Sequence, residues 1–137
     1  MVSGSPEAAA KVLVMDDDEM VRFVAGETLK RYGFQVEFAC DGLQAVELYR
    51  ERLQEGVPFV AVILDLNIPG GMGGAEAMLR LLELDPAAKG YVSSVRTDDP
   101  VMVNFRDFGF SGTIEKPYFY LNKDLMQAFC KILQGAA

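Results

Sequence analysis

Phe59-Val60-Ala61-Val62-Ile63-Leu64, closed by Asp65, is the stretch that decides the fold. Six apolar residues with no polar break do not alternate, so the run reads as a strand covered on both faces, the centre of a parallel sheet. Parallel neighbours need crossovers, and helical periods separate this run from similar ones on either side. Upstream lie Lys11 to Met15 and Gln35 to Ala39; downstream lie Gly90 to Ser93 and Gly112 to Glu115. Met20 to Tyr32 carries Val21, Val24, Ala25, Thr28, Leu29 and Tyr32 at helical spacing and stops at Gly33. The Asp41-Gly42 turn opens a helix bearing Ala45, Val46, Tyr49 and Leu53, and Pro58 marks its far boundary. After the loop Asn67 to Gly74, a helix through Leu84 ends before Pro86. Asp98 or Asp99 caps a helix with Pro100 in its first turn and Gly109 at its stop. The last helix runs from Leu121 to Leu133, with Leu125, Ala128, Phe129 and Ile132 on one face. Five βα units with right-handed crossovers make a doubly wound α/β sandwich, whose ligand site lies beyond the carboxyl ends of the strands.

At 137 residues, half of them apolar, the chain is one domain. A net charge of -7 argues against nucleic acid or an anionic membrane surface as its main partner. No apolar stretch approaches the roughly 20 residues needed to cross a bilayer, and the start lacks the layout of a secretory signal. A cytoplasmic chain is expected. Residues 1–10, rich in Ala, Ser and Gly, read as a linker or tether remnant, residues 11–134 as the folded domain and 135–137 as a tail. Cys40 and Cys130 lack metal-ligand spacing and read as small buried hydrophobes. There is no histidine, which removes Ser-His-Asp and Cys-His catalysis, histidine metal sites and any phosphohistidine of the chain's own.

Chemistry gathers at the strand ends. Asp16-Asp17-Asp18 follows the first strand, Asp65 the third, Ser94 the fourth and Lys116-Pro117 the fifth. Singly each has an ordinary explanation: acidic residues cap helices, Asp65 precedes a Pro69 turn, and Ser94 and Lys116 suit a loop and a solvated edge. Together, four separate strand ends carry carboxylates, a hydroxyl and an ammonium group. Clustered carboxylates raise one another's pKa unless a cation intervenes, and magnesium, which prefers hard oxygens, resolves that conflict. The set suits a divalent cation and a phosphoryl group.

In those residues the chain resembles the receiver domain of two-component response regulators, from Lys11 to about Leu133. The resemblance implies a (βα)5 three-layer sandwich with a parallel five-stranded sheet in the order 2-1-3-4-5. It implies Asp65 as phosphoacceptor from a partner phosphohistidine, with Mg2+ (or Mn2+ in its place) held by Asp17, Asp65 and the backbone carbonyl of Asn67, and by Asp16 through water. Ser94 would hydrogen-bond the phosphoryl group, Lys116 would pair with it, and the bond before Pro117 would be cis. Phosphorylation would remodel a face formed by Asp98 to Phe108, Gly112 to Glu115 and Leu121 to Leu133. The partner would be a histidine kinase or a histidine phosphotransfer protein, with no nucleic acid and no membrane contact, and a homodimer stays open. The domain would not be an enzyme on other substrates; its chemistry would be self-directed phosphoryl transfer and autodephosphorylation.

Several positions depart from that family's pattern. Thr113 stands where many relatives carry an aromatic switch residue. Val95 follows Ser94 where a smaller residue is commoner, and it is expected to narrow the entrance to Asp65; Arg96 and Asn67 lie where side chains tune acyl-phosphate lifetime in relatives. Glu115 is expected on the opposite face of the strand from Lys116. The loop Ile68 to Gly74 and the stretch Ser93 to Tyr118 resemble receivers at the C-terminus of hybrid sensor histidine kinases. Alternatives are a stand-alone single-domain regulator and an unphosphorylated pseudo-receiver that only binds partners. An aspartyl phosphatase fits less well, because Asp65 is followed by Leu66-Asn67 rather than by a second Asp two residues on. No DNA-binding segment is read after the last helix, so a transcription factor is not expected.

Overall fold

The computed structural model describes residues 9–116 and 118–136. Five parallel strands, β1 Lys11–Met15, β2 Gln35–Ala39, β3 Ala61–Asp65, β4 Gly90–Ser94 and β5 Gly112–Glu115, form one sheet in the order β2-β1-β3-β4-β5. β3 is buried along its whole length, as its unbroken apolar sequence requires. It begins two residues later than the apolar run and includes Asp65; Val60 still donates to Lys11 O at 2.9 Å, so the ladder outlasts the regular strand.

Helices α1 (Glu19–Arg31), α5 (Tyr118–Leu121) and α6 (Lys123–Ala136) cover one face. Val12, Val14, Leu29, Ile63, Tyr91, Ile114, Phe129 and Leu133 pack there. The other face lies under α2 (Gly42–Gln54), α3 (Gly74–Leu84) and α4 (Pro100–Val103), around Leu13, Met15, Tyr49, Val62, Leu64, Leu81 and Val92. Local chemistry sets the boundaries. Asp18, Asp41 and Asp99 each cap a helix with a side-chain oxygen, and Pro100 follows Asp99 in the first turn. Gly33 and Gly109 adopt φ values of 94° and 87° at chain reversals, a region glycine enters without steric cost.

Several expectations need correction. The helix expected between Asp98 and Gly109 is a single α-turn followed by a 3-10 turn, Phe105–Phe108. Asn104 leaves helical geometry at φ -111°, ψ 40°, and its side-chain amide donates to Pro100 O at 3.1 Å, competing with the helical ladder. The last helix is divided at Asn122, whose side chain accepts from Leu125 N at 3.0 Å and starts α6 afresh. The buried face of α6 is also not the one expected: Met126, Phe129, Cys130 and Leu133 face the sheet, whereas Leu125, Ala128 and Ile132 are exposed. α6 continues to Ala136. Cys130 is buried as expected, but Cys40 is exposed. Residues 1–8, most of the expected linker, and the bond before Pro117 lie outside the described residues.

Candidate functional site

Side chains alternate across a strand, and paired residues of parallel neighbours project to the same face. Met15 pairs with Leu64, and Asp65 with Ser93, so Asp16, Asp65 and Ser93 form one row at the carboxyl edge. That row continues the face of Val14, Ile63 and Tyr91, toward α1 and α6. Lys116 follows Ile114 on β5 with the same parity and reaches back across the sheet. Its ammonium group donates to Asp16 Oδ2 at 2.8 Å and lies 3.3 Å from Asp65 Oδ1.

The loop after β1 is shaped by its own carboxylates. Asp16 Oδ1 accepts from Asp18 N at 2.9 Å, and Asp18 Oδ1 accepts from Met20 N at 2.9 Å. Arg22 on α1 donates to Asp16 O at 2.6 Å and pins the loop from above. Asp16 and Asp65 are buried by this packing, while Asp17 stays exposed at the mouth. Asp65 Oδ1 also accepts from Asn67 N at 3.3 Å.

Charge is concentrated here. Burial and the neighbouring Asp16 push the Asp65 carboxyl up to about 6, against the lowering pull of Lys116 and the Asn67 amide. Burial alone would lower Lys116, but its bonds to Asp16 and Asp65 outweigh that and hold its ammonium above the usual lysine range. Tyr120, buried on α5, has its phenol pushed up by burial and by the charges of Asp16 and Asp65. One lysine therefore stands against three acidic groups.

Asp16, Asp17 and Asp65 each offer an oxygen, and these atoms lie within 4.8 Å of one another. Hard oxygens at that spacing, two of them buried and under mutual repulsion, fit a small divalent cation. Among the described residues, the contacts of Asp65 with Asn67 and Lys116 both fall on Oδ1, which leaves Oδ2 open to a ligand or an electrophile.

The remaining expected residues are more dispersed. Ser94 is buried at the end of β4, where its Oγ accepts from Arg96 N at 3.0 Å and its carbonyl accepts from Lys116 N at 3.0 Å. Val95 is 65 % exposed at the rim, and the Arg96 guanidinium points to Asp98 at 3.8 Å, away from the carboxylates. Thr113 and Glu115 are exposed on the outer side of β5, with Ile114 buried between them. Asn67 is exposed and contributes its amide to Asp65. Sequence reasoning missed Arg22, Tyr120 and Ser93. Arg22 was accessible from its spacing, six residues after Asp16 on the following helix; the other two depend on pairings between distant segments.

Comparison with known proteins gives a consistent answer. The family model of the response regulator receiver domain matches residues 12–129. The chain is 26 % identical over 120 residues to hybrid signal transduction histidine kinase I of Dictyostelium discoideum, covering 85 % of this chain but only 7 % of that protein. It is 28 % identical over 109 residues to chemotaxis protein CheY of Thermotoga maritima, covering 79 % of this chain and 86 % of CheY. Among solved structures, the CheX-CheY-BeF3-Mg+2 complex from Borrelia burgdorferi aligns with a TM-score of 0.77 at 22 % identity. That alignment covers 90 % of this chain and 88 % of the other, a likeness of fold.

Proposed function

The chain belongs to the response regulator receiver domains of two-component signalling, and from that premise we propose that it accepts a phosphoryl group on Asp65 from a partner's phosphohistidine. The single observation that carries this reading is the buried Asp65 carboxylate, with one oxygen held by Lys116 and Asn67 and the other unengaged, beside Asp16 and Asp17.

In the transfer, an Asp65 oxygen forms a bond to phosphorus as the donor's P–N bond breaks, and the imidazole leaves with the electron pair and takes up a proton. The product is an acyl phosphate. Asp65 is a modest nucleophile, so positioning and charge neutralisation supply the rate. Lys116, already within reach of Asp65, follows the negative charge onto the phosphoryl oxygens. Ser94 keeps its hydroxyl hydrogen to donate, because only its oxygen is used by Arg96 N. Asp16, Asp17, Asp65 and the carbonyl of Asn67 are the groups proposed to hold Mg2+, or Mn2+ in its place. The cation supplies charge neutralisation for the carboxylates and the incoming phosphoryl group.

The partner is a histidine kinase or histidine phosphotransfer protein, and the chain is proposed to be the receiver part of a hybrid sensor histidine kinase in the cytoplasm. The likeness to the Dictyostelium kinase supports that placement. No helix among the described residues is long and apolar enough to cross a membrane. Asn67, Val95 and Arg96 are proposed to tune the lifetime of the acyl phosphate, and Thr113 leaves its exposed strand position without an aromatic switch.

Incubation with MgCl2 and acetyl phosphate, followed by intact-mass analysis, tests the reading. One phosphoryl adduct, lost in Asp65→Asn and suppressed by EDTA, is expected. No adduct under any condition refutes it and leaves an interaction module; continuous hydrolysis of assorted phosphoesters points instead to a phosphatase.

A further inference from the structure

Three consecutive acids follow β1, and the outer two are engaged in holding the backbone. Asp16 accepts from Asp18 N and from Lys116 Nζ, and Asp18 accepts from Met20 N at the start of α1. Asp17, between them, is exposed, and among the described residues its carboxylate has no hydrogen bond or ion pair. Its own side chain therefore fixes nothing. Where that carboxylate stands is set by the peptides on either side of it.

Arg22 holds both. From the first turn of α1 its backbone N–H donates to Asp18 O at 3.1 Å, and its guanidinium reaches back to donate to Asp16 O at 2.6 Å. The second bond is short and charge-assisted, and the carbonyl it takes belongs to the peptide that joins Asp16 to Asp17. On the sheet side the same residue is tied through Asp16 N to Ala39 O at 3.1 Å. Arg22 makes no other side-chain hydrogen bond or ion pair among the described residues, so its half-buried cation is committed to this one carbonyl.

We propose that Arg22 is a positioning residue for the divalent cation, acting through Asp17: by fixing the peptide between Asp16 and Asp17 it keeps the free Asp17 carboxylate where its oxygen lies within 4.8 Å of those of Asp16 and Asp65. This rests on the three aspartates being the cation site. Without the bond, the backbone freedom of Asp17 must be lost on binding, which weakens affinity about 10-fold. A pure charge effect has the opposite sign. A guanidinium repels a metal ion, so its removal alone would tighten binding.

The test titrates Mn2+ into the metal-free chain and reads the free ion by electron paramagnetic resonance. Arg22→Met is expected to raise the dissociation constant about 10-fold. Arg22→Gln, two bonds too short to reach Asp16 O, matches it and carries the test should the apolar variant fail to fold. Arg22→Lys, which keeps a cationic donor of nearly the same reach, returns to within about 3-fold of wild type. Phosphorylation by acetyl phosphate supplies a second readout: the Mg2+ concentration for half-maximal rate rises in the same proportion, while the rate at saturating Mg2+ is unchanged. Unchanged or tighter Mn2+ binding in Arg22→Met and Arg22→Gln overturns the proposal. So does Arg22→Lys as weak as Arg22→Met, or a rate that stays low at saturating Mg2+. Wild type that binds Mn2+ but takes up no phosphoryl group removes the reading of Asp65 and leaves that of Arg22 standing; wild type that binds no Mn2+ removes the proposal for Arg22.

Discussion

Asp65→Asn is expected to stabilise the metal-free domain. The folded state raises the Asp65 carboxyl from 3.8 to about 6, first through burial and then through Asp16. A group whose pKa is raised by folding stabilises the fold below its unfolded value and loses that contribution as pH climbs through the folded one. Between about pH 4 and pH 6, then, ionisation of Asp65 costs stability. About two pH units corresponds to roughly 3 kcal/mol as a ceiling, at about 1.4 kcal/mol per unit. Asparagine removes the charge but also weakens the contact with Lys116 at 3.3 Å, which brings the expected gain to about 1–2 kcal/mol. For a domain of this size, that raises Tm by about 3–7 °C. Calorimetry in EDTA at pH 7.5 and low salt measures it, and the same comparison at pH 5 provides the internal control, because only about half of the ionisation cost has accrued there and the gap narrows accordingly. Adding Mg2+ stabilises wild type by mass action and Asp65→Asn by less. A variant no more stable than wild type at pH 7.5, or a gap that does not shrink at pH 5, would refute the electrostatic account.

Lys116→Met removes the one ammonium group within reach of both Asp16 and Asp65, so phosphorylation by acetyl phosphate at saturating Mg2+ is expected to slow on the order of 100-fold, read by intact-mass time courses. Gly109→Ala forces a side chain into left-handed geometry at φ 87° and sets its Cβ 2.5 Å from Leu82 Cδ1. A loss of about 1–3 kcal/mol in urea titrations follows, with phosphorylation at Asp65 unaffected. Tyr49→Phe deletes the hydroxyl that donates to Asp85 Oδ2 at 2.6 Å, where α2 meets the end of α3. Its expected cost is about 1–2 kcal/mol, and an unchanged urea midpoint would mean that water replaces the bond without penalty.

The sheet was legible because each strand is a short apolar run bounded by turn chemistry, and each crossover repeats at helical spacing. The misread elements share a cause: a residue that competes with its own helix. Asn104 and Asn122 bond locally through their side chains, one ending α4 after a turn and the other starting α6. Neither looks different in sequence from an asparagine on a helix surface. The face of α6 failed for another reason. Two apolar seams run along it, Leu125-Ala128-Ile132 and Met126-Cys130-Leu133, with Phe129 between them. The choice falls to the rings below: Phe129 packs edge-on to Tyr91 at 4.9 Å and to Phe119 at 5.2 Å, which turns the second seam inward.

The candidate site divides along the same line between local and paired information. Asp16, Asp65 and Lys116 were readable because each ends a strand, and a parallel sheet carries all such ends to one edge. Ser94 was readable as a position but not in its resting engagement, since its tie to Arg96 N is a turn of the β4–α4 connection. Tyr120 and Ser93 reach the cluster only through tertiary packing and register. A slip of one residue between β3 and β4 would turn Ser93 toward α3 and pair Ser94 with Asp65. What prevents that slip is the apolar content of both strands: Tyr91 and Ile63 fill one core while Val92 and Leu64 fill the other, and a shifted register would misplace all four. The same burial that sets the fold therefore brings a hydroxyl, two carboxylates and one ammonium group into a single buried row at the carboxyl edge of the sheet.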